Sequence, residues 1–202
     1  MCKKIIIITG HYGAGKTNFA INLALSLKKQ GKQVTVADLD IVNPYFRTAE
    51  YKELIERHGI KLAVSAYAMG TLDVPAVNLD IKAALNQSDH LIIDVGGDPD
   101  GARVLGRFSD TIKECGYEMI YVINHYRHLT ETPQQAVSLM KGIENATGLN
   151  CTSLFNNSHL GKETTEEIVT ASKPFADEVA AVTGLPLTQL PVTVYVKPVW
   201  EI

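Results

Sequence analysis

Short apolar runs alternate along the chain with longer stretches in which apolar residues return every three or four positions. The first run, Lys4 to Thr9, is almost continuous isoleucine, which predicts a central strand buried on both faces. Behind it, TNFAINLALSLKKQG places Phe19, Leu23 and Leu27 at helical spacing and closes on lysines and Gly31. QVTVADLD predicts a second strand, and RTAEYKELIERHG a charged helix stopped by a glycine. IKLAVSAYA reads as a third strand, MGTLDVPAV as a loop and LDIKAALNQS as a short helix. HLIIDVGGD is a strongly apolar strand ending in an acid and two glycines, and GYEMIYVINH is another strand. In TETPQQAVSLMKGIENATG, Thr132 and Gln135 form a capping box with Pro133 in the first turn. NCTSLFNNS predicts a sixth strand, and Thr164 with Glu167 caps the next helix in the same way. LPLTQLPV supplies a short last strand at an edge, where its prolines are tolerable.

Strands alternating with helices predict an α/β fold, a doubly wound and mostly parallel sheet with helices on both faces. No repeat, low-complexity tract or linker interrupts the pattern, so residues 1–202 read as a single domain. With 46 % hydrophobic and 20 % charged residues, the chain can build a substantial core. Its net charge, 19 − 22 = −3, does not advertise a nucleic-acid partner. Cys2, Cys115 and Cys151 are scattered with no CxxC, so neither a disulfide framework nor a zinc or iron–sulfur cluster is indicated. The apolar stretch in MCKKIIIITG runs straight into a glycine-rich turn and is a strand, not a signal peptide. No run reaches membrane-spanning length, so the expectation is a soluble, cytoplasmic protein.

That turn carries the chemistry. Gly10, Gly15, Lys16 and Thr17 match G-x-x-x-x-G-K-[ST], placed between an apolar strand and an amphipathic helix as the motif requires. The loop Gly10, His11, Tyr12, Gly13, Ala14, Gly15, Lys16, Thr17 and Asn18 is therefore the expected nucleotide cradle, with backbone N–H groups and a helix N-terminus facing the phosphates. Lys16 is expected to bridge the β- and γ-phosphates, and the Thr17 hydroxyl to ligate Mg²⁺. Asp94 ends its strand where a carboxylate can hold Mg²⁺, and Gly96 and Gly97 behind it permit a loop that moves with the γ-phosphate. Asp38 and Asp40 end the second strand, on one face by alternation.

GHYGAGKTN, VADLDIVNP, LIIDVGGD and LFNNS, in that order over most of the chain, resemble the MinD/ParA/Mrp group of phosphate-loop NTPases. The wider class includes signal-recognition GTPases and dethiobiotin synthetase. The resemblance implies that Asp38 helps hold Mg²⁺, that Asp40 orients the attacking water, and that Asn156 or Asn157 contacts the base. With no NKxD, ATP is expected over GTP. The resemblance also implies a lysine at the loop's second position, reaching across an ATP-bound dimer; here that position is His11. Histidine is shorter and mostly neutral at pH 7, so slower hydrolysis is expected. His11 filling space beside Tyr12 is the plainer alternative.

The expected function is a Mg·ATP-dependent switch ATPase, with Lys16 and Asp40 as catalytic residues, acting with a protein partner or by homodimerisation. A small-molecule ligase or kinase similar to dethiobiotin synthetase or the cobyrinate amidases is a second reading, with Met69 and Asp73 near its acceptor. A nucleotide-binding scaffold that does not hydrolyse is a third. NHYRH, residues 124–128, reads as a loop meeting a partner or the phosphates through Arg127; Arg47, Arg103 and Arg107 read as relay or surface residues.

Overall fold

The computed structural model describes residues 4–40, 52–64 and 79–188. Six strands form one parallel sheet in the order β3-β2-β4-β1-β5-β6: β1 Lys4–Gly10, β2 Val34–Leu39, β3 Lys61–Val64, β4 His90–Val95, β5 Tyr117–Ile123 and β6 Ser153–Asn156. The isoleucine run is central because neither neighbour exposes it. Ile7 lies between Ile93 of β4 and Met119 of β5, and all three are fully buried.

Alternation along β1 splits the core in two. Ile6 and Ile8 face helix α1, Lys16–Lys29, and helix α2, Lys52–Arg57, through Phe19, Ile21, Leu23 and Ile55. Phe19 stacks on Phe155 of β6, ring centroids 4.2 Å apart. Ile5 and Ile7 face the opposite layer, with α3 Ile81–Gln87, α4 Pro99–Gly106, α5 Ser109–Cys115, α6 Pro133–Thr147 and α8 Lys173–Thr183. A further helix, α7, covers Glu166–Ala171. Helices on both faces of a parallel sheet are the expected doubly wound arrangement.

The local signals hold where their partners are local. Thr132 Oγ1 accepts from Gln135 N, and Gln135 Oε1 accepts from Thr132 N, closing the capping box ahead of Pro133. Other expectations shift. The N-cap of α7 is Thr165, whose hydroxyl accepts from Ile168 N; Thr164 instead binds Leu160 N and Gly161 O around a short 3₁₀ turn. After Gly97 the chain forms two helices, the first ending at Gly106, where a Cβ would stand 3.1 Å from the Ala146 carbonyl oxygen of α6. The following segment breaks again at Ser172, since Pro174 cannot donate to the turn before it. Leu187 makes only an isolated parallel bridge to Leu154 among the described residues. The outer parts of the second helix, the third strand and the last strand lie outside the described residues, as do Cys2, Arg47, Met69 and Asp73.

Candidate phosphate-loop site

Between β1 and α1 the backbone takes turns that only glycine accommodates. At Gly10, φ is +145°, and a Cβ would stand 2.2 Å from the Val122 carbonyl oxygen of β5. Gly15, φ +85°, is the N-cap of α1, and a Cβ there would stand 2.4 Å from Asn157 Nδ2. Ala14 N donates to His11 O at 3.0 Å, folding the loop back over the helix N-terminus. These turns leave backbone N–H groups and the positive end of α1 as a ready anion cradle.

Lys16 is buried, and its ammonium donates to the His11 carbonyl at 3.3 Å. Burial lowers its pKa, and Asp94, Asp40 and Asp98 pull it back up. Parallel pairing puts Asp38 of β2 directly beside Asp94 of β4, so the two strands deliver their carboxylates to one place. Thr17 Oγ1 donates to Asp94 Oδ2 at 2.5 Å. Asp94 is 1 % exposed, and burial first, then Asp38, push its carboxyl up to about 7. Its Oδ1 is buried without a hydrogen-bond partner. Asp40 continues the turn, its N–H donating to Asp38 Oδ1 at 3.0 Å.

A hydroxyl, a buried carboxylate with a spare oxygen and a second carboxylate form a hard, all-oxygen donor set, which fits Mg²⁺. Thr17, Asp94 and Asp38 are the residues that would hold it. Among the described residues no group of three or more His, Cys, Asp or Glu forms a metal-holding cluster.

The loop after β4 packs onto the cradle. A Cβ on Gly97 would stand 2.6 Å from Tyr12 N and 2.8 Å from Lys16 Nζ. One residue earlier, a Cβ on Gly96 would stand 2.8 Å from Gly101 Cα, inside α4. Asp98 caps that helix by accepting from Gly101 N at 2.7 Å. Nothing in the local sequence announces these contacts beyond the glycine pair itself.

The turn after β6 closes the other side. Asn157 donates to Ala14 O at 2.8 Å and is buried against the loop. Asn156 donates to Ser172 Oγ and accepts from Ser158 N and Oγ. His159 joins them: its Nδ1 accepts from Gly161 N, and its Nε2 stands 3.3 Å from where a Gly15 Cβ would be. Asn18 sits in the first turn of α1, its carbonyl accepting from Asn22. His11 is half-buried, its pKa lowered by burial and by the charges of Lys16 and Arg127, so the imidazole is neutral.

Sequence reasoning did not single out Asn124. It is 1 % exposed, donates to His159 O and accepts from Tyr126 N and His159 N, joining the turns after β5 and β6. A polar residue at the end of an apolar strand was the available signal; its partner His159 lies 35 positions away.

A family model described as ParA, NUBPL iron-transfer P-loop NTPase, matches residues 1–68. The cytosolic Fe–S cluster assembly factor cfd1 of Emericella nidulans is 33 % identical over 95 residues, 46 % of this chain and 26 % of that protein. Among solved structures, cell division protein FtsY of Thermotoga maritima aligns over 92 % of this chain and 60 % of its own, with TM-score 0.63 and 24 % identity. Signal recognition particle 54 kDa protein of Aeropyrum pernix, in complex with GDP, aligns over 93 % and 41 %, with TM-score 0.62 and 19 % identity. At these identities the structural matches establish the fold. The chain spans about a quarter of the curated relative's length and about half that of the solved structures.

The matches correct one expectation. The missing CxxC pointed away from iron–sulfur chemistry, yet the matching model and relative are both named for iron transfer or Fe–S assembly. A cysteine motif reports only the sulfur ligands a chain carries itself; kinship lodged in the nucleotide loop is independent of them. Cys151 is buried, with its thiol pKa raised by burial, and Cys115 is half-buried.

The buried carboxyl gives a test. Folded Asp94 keeps a proton up to about pH 7, whereas the unfolded chain releases it near 3.8, so apo stability falls as pH rises across that window. Asp94→Asn keeps an acceptor for Thr17 and removes the buried charge. At pH 8 it should melt at least 2–4 °C above the parent, about 1 kcal/mol for a domain this size, with the gap narrowing at pH 5. Thermal unfolding at the two pH values checks this; a variant less stable than its parent at pH 8 refutes the burial argument.

Proposed function

We propose that the chain is a MinD/ParA-like phosphate-loop NTPase that works as a cytoplasmic Mg·ATP-dependent switch with slow hydrolysis, a reading the matches to such proteins support. One observation carries the reading: Gly97 lies so close to Lys16 Nζ and the loop backbone, and Gly96 so close to α4, that neither position has room for a Cβ. A phosphate seated beside Lys16 must meet Gly97, and the displacement passes directly to a helix. That is how binding chemistry becomes a change of surface.

Each residue has a task in this reading. Lys16 leaves the His11 carbonyl for the β- and γ-phosphates. Asp94, Thr17 and Asp38 would hold Mg²⁺, Asp94 as the carboxylate. Mg²⁺, when bound, supplies charge neutralisation between the phosphates. Asp40, whose charge reaches Lys16, orients the attacking water. The turn after β6, with Asn156 and Asn157, reads the base. His11, held neutral, brings no second cation to the loop, and this keeps turnover slow.

Similarity to an Fe–S cluster assembly factor supports, for the process the switch serves, iron or cluster transfer gated by nucleotide, with sulfur ligands outside the described residues or on a partner.

Four measurements check these statements. Saturating Mg·ATP at about a hundred times its Kd should raise the melting temperature by about 5–11 °C. The shift should vanish in Lys16→Ala, and amide exchange over residues 96–106 should differ between Mg·ATP and Mg·ADP. A flat panel, or a larger shift with Mg·GTP, defeats the adenine assignment. His11→Lys should raise ATP turnover about tenfold or more; an unchanged rate removes His11 from the explanation. Anaerobic reconstitution with ferrous iron and sulfide, alone and with a candidate acceptor protein, should give iron transfer that depends on Mg·ATP. Transfer equal with and without nucleotide rejects the gating.

A further inference from the structure

The turn after β5 is built more firmly than a connection requires. Arg127 N and the Thr130 hydroxyl both donate to the Asn124 carbonyl, at 3.3 and 2.9 Å. Thr130 N donates to the Arg127 carbonyl, and Tyr126 N to Asn124 Oδ1. Inside it Leu129 is the one non-glycine residue with positive φ, +68°, among those described. A leucine in that region costs on the order of 1 kcal/mol, so the surrounding bonds hold the turn in a shape it does not prefer.

The shape delivers Arg127 to the phosphate loop. Its Nε donates to the Gly13 carbonyl at 2.9 Å, across 114 positions of sequence. A Cβ on Gly13 would stand 3.1 Å from Nε and 3.2 Å from Cζ, so the guanidinium lies flat against the loop and residue 13 must stay small. The side chain is half-buried, and among the described residues it has no carboxylate partner. One of its five N–H donors is used by Gly13, which leaves four without a hydrogen-bond acceptor among the described residues. A partly desolvated guanidinium held on one bond, beside an anion cradle, has no counter-charge among the described residues.

We propose that Arg127 is a phosphate-binding residue supplied in the same chain: fixed by Nε to Gly13, it presents its remaining donors to the nucleotide's polyphosphate. It adds a binding cation beside Gly13, and does not replace the charge that His11 lacks at the loop's second position. The inference rests on the nucleotide-binding reading of the loop. The imidazoles of His11 and His159, both near enough to sense the Arg127 charge, are held neutral by burial, so Arg127 and Lys16 are the cations of the cradle.

The test is calorimetric titration of Mg·ATP and of inorganic tripolyphosphate into the full chain, at low and high salt. It compares the parent, Arg127→Ala, Arg127→Lys, Arg127→Met and Lys16→Ala. Arg127→Ala and Arg127→Met should each weaken both ligands by about 10–100-fold, as for loss of a charged hydrogen bond, with a shallower salt dependence. Arg127→Lys should recover part of the loss, because it keeps the charge without the planar fork. Melting temperatures within a few degrees of the parent confirm that the variants are folded, and Arg127→Met keeps the apolar stem should Arg127→Ala loosen the turn. Parental affinity in Arg127→Ala overturns the proposal while leaving nucleotide binding intact. Equal losses in all three variants with unchanged salt dependence overturn it too, and reduce Arg127 to a brace on the loop. A parent that binds neither ligand defeats both the loop reading and this inference.

Discussion

An ammonium and a carboxyl, both buried, meet beside a glycine-built turn at the C-terminal ends of the central strands, and the rest of the site is arranged around that constraint. Lys16 and Asp94 are almost wholly removed from water, and neither is fully compensated. Lys16 rests on a loop carbonyl at 3.3 Å, and one Asp94 oxygen has no partner. Burying charge this way opposes folding, and it persists because the surrounding strands leave the groups nowhere else to go. A site built at such cost is complementary to something that brings the missing charges with it. A polyphosphate and a divalent cation together match both deficits.

The parallel sheet makes the convergence possible. Register, not loop sequence, sets Asp38 beside Asp94, and it sets Gly10 against Val122. The strand ends thus form a rigid base, while the groups that respond to a ligand lie on turns above it. Gly97 and Gly96 are the clearest case. With no side chain on either residue, the loop after β4 lies between Lys16 on one side and α4 on the other, so the cradle and a helix are mechanically adjacent. The turns after β5 and β6, tied together through Asn124, close the opposite side with Asn157 and Arg127.

His11 and Arg127 belong in the same account. The loop's second position holds an imidazole that burial and its cationic neighbours keep neutral, and a guanidinium from another turn lies against the loop two residues further on. Both features concern where positive charge lies around the loop, one position lacking a cation and a neighbouring one holding it. The similarity to proteins named for iron transfer and Fe–S assembly, by contrast, does not rest on a CxxC motif; the family model matches the first 68 residues, where the phosphate loop lies.

The sequence by itself determined whatever depends on neighbours a few positions apart. The isoleucine run specified a doubly buried strand, the Thr132–Gln135 box specified where α6 begins, and G-x-x-x-x-G-K-T specified the cradle. Even there, Thr165 took the cap expected of Thr164, because a 3₁₀ turn moved the helix start by one residue. Tertiary structure decided everything whose partner is distant in the chain. Thr17 meets Asp94 across 77 positions, Arg127 meets Gly13 across 114, and Asn157 meets Ala14 across 143. No periodicity or spacing encodes such pairs, because they follow from strand order, and strand order is a property of the packed sheet. Propensity and pattern act within a few residues; the electrostatics of a buried site are set by whichever turns the sheet places side by side.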